Sequence, residues 1–235
     1  MQIDTSFDFR TDAAGRDPDT YSRTLREYHR ILWSKPLPNG RRFDLKDTVS
    51  GAYLHHSSEL GEFYLASDSA IPTFTKWKSL GHLISQFPEH ENEAFRSLGY
   101  TIGGMMIFPG NRIEGKQTIN GARGFNRQIA DRFDLTLECI RRHYLAQSSP
   151  LAEVLQRYDE FFRLFDDFKG YIEFFMLQDL VAPDCGSVKF FMPFENFQTA
   201  AVPKDVDVYQ SYRALSLDFV RARNCRIEEF GRITL

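Results

Sequence analysis

YTIGGMMIF, residues 100–108, is a nearly continuous apolar run that stops at Pro109-Gly110-Asn111. Such a run, closed by a turn signal, reads as a buried central strand. Gly103-Gly104 weakens the strand and implies that another part of the chain packs against bare backbone there. Towards the N-terminus, Ala52–His56 and Glu62–Ala66 flank a short Ser-Ser-Glu-Leu-Gly connection, which predicts a hairpin. Lys116–Ile119 adds a strand after the turn. Upstream of these, Asp17-Pro18 starts a helix, with Asp as cap and Pro at the first helical position. Tyr21, Leu25, Tyr28 and Leu32 give that helix its stripe, and the loop from Lys35 to Gly40 ends it. Residues 1–17 read as a polar arm or loop. Phe74, Trp77, Leu80, Ile84 and Phe87 mark a helix ending near Pro88, and residues 91–98 a shorter one.

Downstream the period is helical. Residues 122–146 form the strongest helix, with Phe125, Ile129, Phe133, Leu137, Ile140 and Tyr144 on one stripe. Ser149-Pro150 starts the next, which carries Leu151, Val154, Leu155, Tyr158, Phe162, Phe165 and Phe168 and breaks or kinks at Gly170. Tyr171–Val181 reads as a buried helix, Val188–Met192 as a strand, and Val206 opens a last amphipathic helix. The order predicts an α+β fold. A small mixed or antiparallel sheet in the N-terminal half packs against a predominantly helical, Phe-rich C-terminal half, in a single domain over residues 1–235. Twenty-two phenylalanines require a largely aromatic core.

A formal net charge of −3 gives no overall basic bias of the kind a strongly cationic nucleic-acid binder shows. Cys139, Cys185 and Cys225 are far apart and odd in number, which argues against a disulfide framework or a zinc site and for a reducing compartment. The first ten residues lack the apolar core of a signal peptide, and no run reaches the roughly 18 apolar residues of a membrane span. The expectation is a cytoplasmic protein with no membrane partner.

Two segments carry a resemblance. YTIGGMMIFPGNRI with GKQTINGARGFNRQIADRFDLTLECIRRHY is one, and FFRLFDDFKGYIEFFMLQDLV is the other. They resemble an uncharacterised bacterial family of unknown function, densest between Tyr100 and Val181. The resemblance implies a bacterial-type cytoplasmic domain and transfers no catalytic residue.

The segment TINGARG, Thr118–Gly124, is where backbone and side-chain chemistry converge. Asn120 reads as an N-cap, and the first N–H groups of a helix attract anions. Gly121 and Gly124 admit a ligand to the backbone. Arg123 and Arg127, four residues apart, reach the same side and suit phosphate or carboxylate. The glycine spacing matches neither a P-loop nor a dinucleotide fingerprint. On the same helix, Arg127, Asp131, Asp134, Glu138 and Arg142 read as a solvated charged face. Arg132, at the edge of the apolar stripe, calls for a carboxylate partner. His143 reads as a core histidine, and Arg141, Arg142 and His143 complement the helix end.

His55 and His56 are the candidate acid/base residues. On a strand their rings point to opposite faces, so they cannot chelate one metal together. Arg23 and His29 have a spacing similar to that of helical RNases of the HEPN type, within what also reads as an ordinary amphipathic helix. No hydrolase elbow or zinc-protease helix occurs. The leading expectation is a domain binding a phosphate-bearing ligand, nucleotide or nucleic-acid backbone, at Asn120, Gly121, Arg123, Gly124 and Arg127. The alternatives are a non-catalytic interaction or homo-oligomerisation module, with the aromatic helices as interface, and an RNase-like nuclease. No metal site is expected and the sequence names no cofactor.

Overall fold

The computed structural model describes residues 3–48 and 54–234. Helices α1 (Pro18–Tyr21) and α2 (Arg23–Trp33) precede strands β1 (Lys35–Pro36), β2 (Arg42–Phe43), β3 (Lys46–Asp47), β4 (Leu54–Ser58) and β5 (Gly61–Ser69). Helices α3 (Gly81–Ile84) and α4 (Glu89–Gly99) lead to β6 (Met105–Pro109). The rest is helical: α5 (Ile119–Phe125), α6 (Phe133–Tyr144), α7 (Ala152–Arg157), α8 (Asp159–Arg163), α9 (Phe168–Phe174) and α10 (Val206–Thr234). Strands β3 to β6 make an antiparallel meander, and β1 pairs with β2. This is the α+β arrangement expected, with its helices in the C-terminal half. Among the described residues, no helix is long and apolar enough to cross a membrane.

The hairpin of β4 and β5 pairs Leu54 with Leu65 and Ser58 with Gly61. Ala52 and Tyr53, at the start of the expected strand, lie outside the described residues. In the pairing order β6 is the last strand rather than a central one. All five of its residues are nonetheless buried, and α5 packs against the strand. Gly103 and Gly104 lie in a 3-10 turn before the strand, and α10 packs onto that turn as the glycines implied. The Gly103 N–H donates to Asn224 Oδ1 at 2.7 Å. Arg223, buried one residue earlier on α10, donates to the carbonyls of Gly103 (3.1 Å), Met105 (2.7 Å) and Phe175 (3.1 Å). Helix, turn, strand and aromatic core are thereby tied at one point.

The C-terminal half buries its aromatics as the composition required. Phe165 lies 5.3 Å from Phe161, 5.3 Å from Tyr171, 5.0 Å from Phe174 and 5.3 Å from Phe175. These are ring separations at which offset and edge-on packing is favourable. Gly170 sits in the first turn of α9, where a Cβ would fall 2.0 Å from the Phe165 carbonyl. The helix expected to run to Gly170 ends earlier: it is cut at Tyr158 into α7 and α8 and stops at Arg163, and Asp167 then caps α9 by accepting from the Gly170 N–H.

Several elements differ from expectation. The helix over 122–146 is two helices, α5 and α6, separated by residues 126–132. Asn126 ends the first by accepting from Gln128 N–H at 2.8 Å, and Ala130 and Asp131 take positive φ. The cap of α5 is Thr118, whose hydroxyl accepts from Gly121 N–H, and not Asn120. Lys116–Ile119 is therefore no strand, and Val188–Met192 reduces to one bridge between Val181 and Val188. The helix through Phe74–Phe87 shrinks to a 3-10 turn and α3. Asp134 and Glu138 are not on a solvated face. Both are buried, Asp134 with Arg132 and Glu138 with Arg141 and Arg142. Arg132 thus has the carboxylate its position called for. Residues 3–17 are irregular but not a free arm: Phe9 and Ala13 are buried, and Phe9 packs edge-on against Tyr28.

Candidate functional site

Ser67-Asp68-Ser69, the last three residues of β5, collect groups from four other parts of the chain. Helix α1 packs on this strand, and Asp17 caps that helix, which puts Asp19 on its first turn. From the other side comes α5. Its Asn120 Nδ2 donates to the Ser67 carbonyl at 3.1 Å. One turn on, Arg123 enters the same place, fully buried. Its guanidinium donates to Asp68 Oδ2 (2.6 Å), the Ser69 carbonyl (3.2 Å), the Asp131 carbonyl (2.6 Å) and Thr136 Oγ1 (3.2 Å). Asp131 Oδ1 lies 3.4 Å away, a Coulombic contact without a hydrogen bond. The demand for the Asp131 carbonyl explains the break after α5: only a chain that turns back there can supply it.

Charge is unbalanced in this cluster. One arginine faces Asp68, Asp131 and, at longer range, Asp19. Burial pushes Asp68 up to about 6, with the Asp131 charge adding and Arg123 opposing. Asp19 is raised well above the usual carboxylate range, by burial first and then by Asp68 and Asp17. Tyr100 is pushed up to about 12 by burial and by the same carboxylates. Arg123 is raised as well: burial opposes its charge, but Asp68 and Asp131 outweigh it and hold it protonated. Ionisable groups displaced by burial and by one another make this place the candidate site.

Hydrogen-bond donors are also short. Asp19 Oδ1, Asn120 Oδ1 and Asp131 Oδ1 are sealed from solvent and accept no hydrogen bond from the described residues. The Asn120 orientation follows from chemistry, since the Ser67 carbonyl can only accept and therefore takes the amide nitrogen. A buried acceptor without a donor costs about 1–3 kcal/mol. Behind Ser67 runs a chain from the core. Trp33 Nε1–H donates to His29 Nδ1 at 2.9 Å. Burial, with Arg223 nearby, lowers His29 to about 3, so it is neutral and its one proton sits on Nε2. Nε2–H then donates to Ser67 Oγ at 3.1 Å, and the Ser67 hydroxyl is left to serve Asp19. His29 cannot act as a base on Ser67, because the nitrogen facing that serine already carries the proton.

The pH dependence follows. Asp68 and Asp19 have folded pKa values above the unfolded value near 3.8, so the native state holds protons that the unfolded chain releases. Their contribution to stability is present at low pH and is lost as pH rises towards about 6 and beyond. Asp19→Asn removes one repelling charge. We expect it to match the wild type near pH 4 and to exceed it at pH 8 by about 1–2 kcal/mol. Urea midpoints across that range measure the difference, and a variant less stable at pH 8 would contradict the charge argument.

Of the residues singled out in the sequence, Asn120 and Arg123 come together at the end of β5, turned inward. Gly121 gives its N–H to Thr118, while Gly124 and Arg127 are exposed and do not join them. Among the histidines, His55 contacts Glu62 at 3.0 Å and stacks on Tyr64. His56 is buried against Phe43, with Asp44 and Ser58 as polar partners. They face opposite sides as the strand pattern required, and neither shares a partner with Arg123. Arg23 is exposed on α2 while His29 is buried, so the helix does not present them on one face. Asp19 was not singled out in the sequence. Its visible signal is the repeated acid in Asp17-Pro18-Asp19, whose first member caps the helix and leaves the second unexplained. Among the described residues, no group of three or more His, Cys, Asp or Glu side chains is placed to hold a metal ion.

An α+β domain built round a buried, acid-rich ionic cluster is what the fold and site define. A family of unknown function, DUF6994, matches residues 3–227, and the chain belongs to it. No curated protein and no solved structure shows a match to it.

Proposed function

We propose that the Asp19–Asp68–Asp131 cluster binds a cationic, donor-rich group, an ammonium or a guanidinium, on a small ligand. The observation that carries this is the set of three solvent-sealed acceptor oxygens without donors, beside carboxylates that a single arginine does not balance. A phosphate at the inner face of α5 would meet these carboxylates, and Arg123 already has four acceptors. An ammonium group supplies the missing N–H donors and the missing charge together. Asp131, whose side chain is 38 % exposed, lies where the cluster meets the surface, and a ligand enters there by displacing the cover over the sealed oxygens.

The test is thermal unfolding with methylammonium, putrescine and arginine against sodium chloride of equal ionic strength, at pH 5 and pH 8. The expected result is a concentration-dependent rise at pH 8 for at least one of the three. That rise shrinks at pH 5, where Asp19 and Asp68 hold their protons, and is lost in Asp19→Asn. Responses equal to sodium chloride for all three at pH 8 would overturn the proposal.

A further inference from the structure

On the outer face of α5, away from Arg123, lies a cavity of about 460 Å³ whose lining includes Lys116, Gln117, Phe125, Asn126, Glu153 and Arg157. We infer that this cavity is a second site, which binds a nucleotide, with the base on the Phe125 ring and the phosphate between Arg157 and Lys116. Phe125 leads the argument. It is 82 % exposed, well beyond Leu145, Leu215 and Tyr21, the other large apolar residues exposed among the described ones. The reason lies in the helix: burying Arg123 turns the residue two positions later, some 200° round, towards water. A bare ring at a cavity mouth is a stacking platform that every base can use.

Arg157 supplies the second observation. Its side chain is only 15 % exposed. Nη2 donates to the Gln117 carbonyl at 2.9 Å and Nη1 meets Glu153 Oε1 at 3.2 Å, which fix the guanidinium plane. Nε, however, is buried with no acceptor among the described residues. The Nε–H itself is sealed from solvent, so the guanidinium meets an anionic oxygen through the exposed edge of its fixed plane. Lys116, at the same cavity, is half-exposed, and its pairing with Glu114 is a solvent-exposed one that leaves its charge available. The cavity volume is of the order that small-molecule sites require. The needs here are the reverse of those at the acidic cluster: there acceptors lack donors, and here a donor lacks an acceptor. The two inferences rest on different atoms and fail separately.

The phosphate and base can belong to a free nucleotide or to one unit of a single strand. Titration of the full-length chain with AMP, UMP, inorganic phosphate and a fluorescently labelled ten-nucleotide oligo(U) separates these sources. We expect one of the base-bearing probes to bind more tightly than inorganic phosphate. Phe125→Ala, at an exposed position that leaves folding intact, should weaken that binding about tenfold or more while leaving phosphate binding unchanged. Lys116→Glu should weaken both. Tighter binding of oligo(U) than of UMP, with strong salt dependence, assigns the site to a strand, and the converse assigns it to a free nucleotide. Absence of binding by all base-bearing probes at millimolar concentration would overturn the inference, as would binding that Phe125→Ala leaves unchanged.

Discussion

Arg123→Met is expected to lower the stability of the protein by about 3–5 kcal/mol, because it leaves buried carboxylates without their cation. For a chain of this size that corresponds to a fall in melting temperature on the order of 10 °C. The methionine fills the aliphatic volume, so the loss is electrostatic rather than a cavity effect. Asp68 loses its partner at 2.6 Å, and the carbonyls of Ser69 and Asp131 and the hydroxyl of Thr136 lose a donor. Lysine does not substitute, since one ammonium cannot reach four acceptors spread round a planar fork. Adding Asp68→Asn to Arg123→Met should recover part of the loss, and a double-mutant cycle in urea gives the coupling. A single-variant cost under about 1 kcal/mol would show that Arg123 does not hold this part of the fold together.

Gly103→Ala is the second large effect. An added Cβ would lie 2.5 Å from the Val220 carbonyl and 2.6 Å from Asn224 Oδ1, both on α10. Backbone on a 29-residue helix cannot retreat locally, so the helix shifts as a body. The shift sacrifices the Gly103–Asn224 hydrogen bond and the three carbonyl contacts of Arg223. Overpacking and lost buried hydrogen bonds together cost about 3 kcal/mol or more. Soluble yield and the urea midpoint are the readouts. Gly81→Ala is the control, because an added Cβ there meets nothing within 4 Å, and its effect should stay within about 0.5 kcal/mol.

Features set by near neighbours were legible without the structure. Asp17-Pro18 starts a helix where expected, although that helix is one turn long and Ser22 caps α2 afresh. The residues from Glu62 onward pair back on His56 and its neighbours as a hairpin, Pro109 ends β6, and Gly103 marks where a helix approaches bare backbone. In each case the signal and the structure it controls lie within a few residues, or the residue type tolerates one environment only. The site was legible to the extent that Asn120 and Arg123 share a place. Which way they face was not.

By itself, then, the amino-acid sequence determined an α+β chain with an aromatic core, an antiparallel hairpin, a glycine-marked contact and a carboxylate for Arg132. The tertiary structure alone decided that the apolar stripe over 122–146 would be cut in two. Helical spacing places Phe125 and Ile129 on one face, but Arg123 gains more from Asp68, 55 residues earlier, and from the Asp131 carbonyl than the chain gains by continuing the helix. A buried guanidinium must be satisfied by acceptors wherever they lie in the chain. Local periodicity carries no information about such distant partners, and that is why Arg123 points in, Phe125 points out, and the two faces of one short helix differ in chemistry.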